Sequence, residues 1–239
     1  MAKDSNKSIL SSVAAPPSLR EMVYRAIKEA IMSKTLKRGE IYSEHGLAAQ
    51  LGISKTPVHE AILDLESRGF VTLVPRKGII INELTAGDIR DLYEFRLVIE
   101  TAALKKVGAR LKEKNLQWIR EVHQNCIKAT QADDHLEYIK WDREFHIYLV
   151  SLTNNSYLTA ALENVRDLID WMGVRAMYRP DRLMEVDQEH GAVLEMLEKG
   201  DAKNAARLMA EHIRETERNA LAGWSQNEKA RDSNPEQVA

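Results

Sequence analysis

From Arg76 to Arg179 the chain contains no proline. Proline breaks helix interiors, so this stretch is free to form long helices. Pro16, Pro17, Pro57 and Pro75 all lie ahead of it, and the chain therefore reads as a punctuated N-terminal part followed by a helical part. In the second part Thr85 with Asp88 forms a capping box, which predicts a helix to about Val107. Further amphipathic segments fall at about 112–131, 134–151, 155–178, 182–199 and 202–223, with Asp134 and Asp201 as N-caps and Pro180 as a separator. Six such helices on short connections imply a bundle.

The first 83 residues have a different grammar. Ser18 and Glu21 open a helix with Met22, Val23, Ala26, Ile27, Ala30 and Ile31 on one face. A short helix from about Glu44 to Leu51, N-capped by Ser43, leads into the turn Leu51-Gly52-Ile53-Ser54. A third helix runs from Lys55 to about Arg68, with Pro57 tolerated in its first turn. The β-branched runs 70–74 and 79–82 flank Pro75-Arg76-Lys77-Gly78, the pattern of a hairpin. The fold class expected is mainly α: a winged helix-turn-helix at 18–83, then an all-helical bundle of six or more helices at 84–224. A disordered leader at 1–17 and a disordered tail at 225–239 complete the expected organisation.

Charge separates the same two parts. Residues 1–83 carry 12 Lys and Arg against 9 Asp and Glu, and the remainder carries 22 against 27. The net charge of −2 excludes a histone-like polycation, and no run approaches the ~18 apolar residues that span a bilayer. Asp4 and the interrupting serines argue against a secretory signal. The single cysteine, Cys126, forms no intrachain disulfide and accords with a reducing compartment, so the expected location is cytoplasmic, without a membrane partner.

A helix laid in the major groove presents its N-terminal side chains to the bases. Here those are Ser54, Lys55, Thr56 and, one turn on, His59. Arg76, Lys77 and Gly78 at the hairpin tip suit a minor groove or the flanking phosphates. Taken singly each is as well read as a solvated surface residue; together they favour double-stranded DNA. The run SEHGLAAQLGISKTPVHEAILDLESRGFVTLVPRKGIII resembles the GntR family of bacterial regulators across residues 18–82. That resemblance adds His45, where some members have arginine, to the DNA-facing set. Arginine is also the family's common residue at Lys55 and His59, and lysine lacks arginine's two-pronged contact.

In the helical part, Asp142 and His146 are spaced i, i+4 on a face that also carries Ile139, Leu149 and Val150. His190 lies in line with Val186, Val193, Leu194 and Leu197, and His212 with Ala205, Leu208 and Met209. Buried ionisable groups need partners. These four either find ordinary hydrogen bonds or share a divalent metal ion, whose usual ligands they are. His123 and His135 lack such companions and read as surface residues. Arg96 shares a stripe with Ile89, Leu92, Ile99 and Ala103; it either pairs with an acid such as Glu100 or anchors a carboxylate ligand.

The blocks YEFRLVIETAA, WDREFHIYLVSLTNN and QEHGAVLEMLEKGDAKNAARLMAEHI resemble the FCD ligand-binding domain of the FadR branch of that family, over about residues 85–222. The resemblance implies a homodimer, a metal (Zn, Ni or Mn) on Asp142, His146, His190 and His212, and a small organic-acid effector. The expectation is a transcriptional regulator acting as a repressor, not an enzyme. The alternatives are a helical-bundle metalloenzyme with hydrolase or lyase activity, and a regulator that senses the metal itself.

Overall fold

The computed structural model describes residues 16–172 and 181–233. The chain divides into two compact units between Asn82 and Glu83. The segment 1–15, the end of the expected helix at 173–178, Pro180 and residues 234–239 lie outside the described residues.

The first unit begins with α1 (Leu19–Met32), whose capping box joins the Ser18 hydroxyl and the Glu21 carboxylate to each other's backbone N–H groups. Its Val23, Ile27 and Ile31 are buried. Helix α2 (Glu44–Leu51) is N-capped by Ser43 and ended by Gly52 in the left-handed conformation, φ 66°. A glycine adopts that conformation without steric cost, which makes the turn into α3 (Lys55–Ser67) tight. Val58, Ala61, Ile62 and Leu65 on α3 are fully buried, and α1 packs against this helix. Each of the larger three contributes about 1.5–3 kcal/mol of burial.

Strands β1 (Ile41–Tyr42), β2 (Val71–Val74) and β3 (Gly78–Ile81) form an antiparallel sheet in the order β1-β3-β2. Val71 pairs with Ile81 and Val74 with Gly78 across the hairpin, and Ile41 pairs with Ile80. The third strand was not anticipated. Two residues are too few to show alternation, so β1 is set by its partner and not by its own pattern.

The second unit is helical: α4 (Ala86–Val107), a 3-10 turn (Gly108–Arg110), α5 (Glu113–Gln131), α6 (His135–Ser151), α7 (Ser156–Met172), α8 (Arg182–Glu198) and α9 (Ala202–Ser233). Helix α4 packs on α9, α5 on α6 and α8, and α8 on α9, while α6 touches both α4 and α7. Ile89, Leu104, Phe145, Val193, Met209 and Ile213 belong to the shared core. No described helix is long and apolar enough to cross a membrane.

One boundary differs from the sequence expectation. The tail was expected to be disordered from 225, yet α9 continues to Ser233. Gly223, the last residue of the expected segment, costs a helix interior only about 1 kcal/mol. Beyond it Trp224 donates from its indole nitrogen to the Leu84 carbonyl at 3.1 Å, which ties the helix to the start of its own unit.

Candidate functional site

Ser54, Lys55, Thr56 and His59 stand at the start of α3, all exposed, as is His45 on α2. Ser54 is the N-cap residue, but its hydroxyl makes no capping bond. Lys55 Nζ and His59 Nδ1 each lie 3.1 Å from one oxygen of Glu44, so a single carboxylate at the start of α2 holds both side chains. Burial would raise the Glu44 carboxyl, but the His59 and Lys55 contacts outweigh it and hold it below its ordinary range. Sequence reasoning missed Glu44 because its partners lie across the turn.

At the hairpin tip Arg76 and Lys77 are exposed. Arg76 takes φ 65°, an uncommon conformation for a non-glycine residue. Gly78 has a second reason to be glycine besides the expected close approach to DNA. At φ 130° an added Cβ would sit 2.1 Å from the Tyr42 carbonyl oxygen, where β3 crosses β1.

In the helical unit His146, His190 and His212 converge from α6, α8 and α9, all buried, with ligand nitrogens within 4.8 Å of one another. Asp142 stands beside them, its Oδ1 3.8 Å from His146 Nε2 and 3.7 Å from His190 Nε2. Its Oδ2 accepts from the buried Arg166 guanidinium on α7. Burial alone would raise the Asp142 carboxyl, but Arg166, then His146 and His190, drive it far below the usual carboxylate range.

The hydrogen-bond partners fix the imidazoles. Arg96 donates from a terminal nitrogen to His146 Nε2 at 3.2 Å, and guanidinium has no acceptor, so Nε2 carries the lone pair. His146 Nδ1 therefore carries the proton and donates to Glu100 Oε2 at 2.5 Å. Arg96 also donates from Nε to Glu100 Oε1 at 2.7 Å, so the pairing with Glu100 weighed as one reading of Arg96 is present. His212 Nδ1 donates to Glu189 Oε2 at 2.6 Å, which leaves Nε2 free. Glu189 is itself held by two bonds from the buried Arg182, at 2.6 and 2.9 Å.

His190 is the exception. It is 0% exposed, it stacks on the Phe145 ring, and neither ring nitrogen has a hydrogen-bond partner among the described residues. Burial, reinforced by Arg96 for His146 and by His212 for His190, lowers both imidazoles well below their usual range and keeps them neutral. Neutral His146 and His190 beside an ionised carboxylate, with His212 Nε2 free and His146 Nε2 shared with Arg96, are a donor set that divalent Zn, Ni or Mn accepts once Arg96 yields that nitrogen. Two nitrogens on one tetrahedral ion lie ~3.4 Å apart, so the rings would draw together by up to about 1.4 Å.

Tyr93, Arg96, Asp142, Arg166, His212 and Thr216 line a narrow space against this cluster, large enough for about one water. Arg166 and the carboxylates Glu100 and Glu189 were not proposed as site residues from sequence. Arg166 carried the same signal as Arg96, since it falls in line with the buried Leu162 and Ile169. His123, read as a surface residue, is half-buried because its Nε2 bonds the Asp187 carbonyl at 2.8 Å.

A winged helix-turn-helix with an exposed basic face, joined to a helical unit with a buried polar cavity, defines a DNA-binding transcriptional regulator. Residues 19–81 match the bacterial regulatory proteins of the gntR family, and residues 91–215, just over half the chain, match the FCD domain. The chain belongs to the gntR family of bacterial regulators, in the FadR-like branch that carries an FCD domain. It is 29% identical over 191 residues to the HTH-type transcriptional regulator YdhC of Bacillus subtilis strain 168, covering 80% of this chain and 85% of that one. It is 23% identical to the HTH-type transcriptional repressor RspR of Escherichia coli K12, over 82% and 86% of the two chains. The solved structure of E. coli McbR/YncC shares the fold with a TM-score of 0.72 at 22% identity, over 89% of this chain and all of that one. Membership of a family of regulators sets the hydrolase or lyase alternative aside.

Proposed function

We propose that the protein is a repressor that binds a palindromic operator as a homodimer and responds to a small carboxylate held beside a divalent metal ion. The repressor sense draws support from RspR, which is named a repressor. Two-fold symmetry in the protein calls for related half-sites in the DNA. In each half-site Ser54, Lys55, Thr56 and His59 read the major groove, with His45 beside them, while Arg76, Lys77 and Gly78 follow the adjacent backbone.

The metal ligands in this reading are Asp142, His146, His190 and His212. The observation that carries it is His190, whose two buried nitrogens lack hydrogen-bond partners among the described residues. Leaving such groups unmatched costs about 1–3 kcal/mol, and coordination removes part of that penalty. Glu100 and Glu189 hold His146 and His212 with Nε2 outward, and Arg182 steadies Glu189. An ion held there would supply Lewis-acid attraction for a carboxylate, and Arg96 would add a cationic contact from the donors that Glu100 and His146 leave it. The effector acts by binding one arrangement of the DNA-binding units better than another.

Metal analysis of purified protein tests the centre: about one ion per chain is expected in wild type and none in Asp142→Ala or His190→Ala. Equal metal in all three would reject the assignment. Operator binding, measured on a duplex recovered by in vitro selection, should weaken steeply with salt and respond to carboxylates only in metal-loaded protein. A response to metal alone, with no effect of any carboxylate, would make the metal itself the signal.

A further inference from the structure

Glu44 is the first residue of α2, where the helix dipole favours a negative charge. One of its oxygens takes Lys55 Nζ and the other takes His59 Nδ1, each at 3.1 Å. The carboxylate is mostly shielded, with 13% of the Glu44 side chain exposed, whereas 48% of the His59 side chain faces solvent. The two contacts hold the Glu44 carboxyl below its ordinary range against the effect of burial, so it is ionised near neutral pH.

An ionised carboxylate only accepts hydrogen bonds, so the proton of a neutral His59 ring sits on Nδ1. A neutral imidazole has a single N–H, which leaves Nε2 with a bare lone pair. That nitrogen makes no hydrogen bond among the described residues. In the major groove adenine N6 and cytosine N4 present an amino donor where guanine O6 and thymine O4 present an acceptor. A lone pair is matched by the first pair of bases and repelled by the second. Arginine, the common residue of the gntR family at this position, has donors alone and selects guanine.

We infer that Glu44 makes His59 a hydrogen-bond acceptor in the groove, so that each half-site carries adenine or cytosine where an arginine would read guanine. The inference rests on the reading of α3 as the groove-facing helix. Glu44 is a positioning residue here, because it acts through the proton it holds on His59 Nδ1.

In vitro selection with wild type, His59→Ala and His59→Arg at pH 8.5, about two units above the ordinary imidazole value, tests it. His59→Ala identifies the base pair, as the one at which the wild-type preference is lost. His59→Arg should select guanine at that pair, which identifies the strand. On this strand wild type should bind adenine or cytosine about tenfold tighter than guanine or thymine, by fluorescence anisotropy on duplexes that differ only there. Glutamine can donate to Nδ1 and release the proton to Nε2, so in Glu44→Gln the ratio should shrink to about twofold, with preferences at other pairs unchanged. Overall affinity should rise in that variant, since a negative charge near the phosphates is lost, and the ratio is therefore the measure. Glu44→Ala frees the ring in either tautomer and should show the same loss should the glutamine variant not fold. A wild-type preference for guanine or thymine would overturn the inference, as would an unchanged ratio in the Glu44 variants or no selection of guanine by His59→Arg. If no base pair responds to His59→Ala, the groove-facing reading of this residue fails as well.

Discussion

His190 sets up a conflict between stability and function that one substitution exposes. Its ring is fully buried and both nitrogens are unmatched among the described residues. His190→Leu has nearly the same volume and no polar atoms. It should stabilise the chelated protein by about 1–2 kcal/mol in urea unfolding, while removing the gain in stability that zinc confers. A loss of stability in chelator would mean that the imidazole is matched in the metal-free protein. Glu189 makes the complementary case, because its contact fixes the His212 tautomer. Glu189→Gln should weaken zinc about 10–100-fold in a chelator-dye competition, with little change in helix content. The cluster itself was legible, since Asp142, His146, His190 and His212 each interrupt an apolar stripe. Their partners were less so: Arg166 reaches Asp142 from another helix, and no spacing along the chain reveals that α6 and α7 lie side by side.

At the scale of the element, boundaries were legible where a side chain closes the backbone. Ser18 with Glu21 and Thr85 with Asp88 both form the capping boxes that their spacing predicts. They were illegible where a distant contact decides: the two residues of β1 exist through β3, and α9 passes Gly223 where Trp224 reaches Leu84. The wing owes its shape to such a contact as well. Gly78→Ala places a methyl group against the Tyr42 carbonyl at a backbone angle that L-residues rarely adopt. Denaturation of the N-terminal unit should show a loss of about 2–4 kcal/mol. Lys77→Ala on the same hairpin should leave that transition within about 0.5 kcal/mol, because Lys77 is exposed. A mild effect of Gly78→Ala would show that the β1–β3 crossing yields, and that the glycine serves the DNA alone.

For the molecule as a whole, the buried imidazoles couple acidity to folding. In the unfolded chain a histidine takes up a proton as the pH falls below its usual value of 6.5, whereas burial keeps His146 and His190 neutral in the folded protein. The unfolded state then binds more protons, so the stability that both residues allow above pH 6.5 drains away on acidification. Each missing proton is worth about 1.4 kcal/mol per pH unit, and two amount to a loss of about 2.7 kcal/mol between pH 7.5 and 5.5 in chelator. Asp142, held far below the carboxylate range, stays ionised in both states across that window and adds nothing there. Asp170 and Asp187 have carboxyls that burial raises, and they work in the opposite sense, softening the loss at its acidic end. A bound zinc ion would not steepen the dependence, because the folded ligands are already neutral across this window and only the ligands of the unfolded chain take up protons. Urea transitions of the chelated protein should therefore fall with pH in this window, while the gap between loaded and chelated protein should hold or widen. A chelated protein equally stable at both ends of the window would mean that these histidines are not neutral when folded. The free nitrogens that the metal reading depends on would then be spoken for by protons.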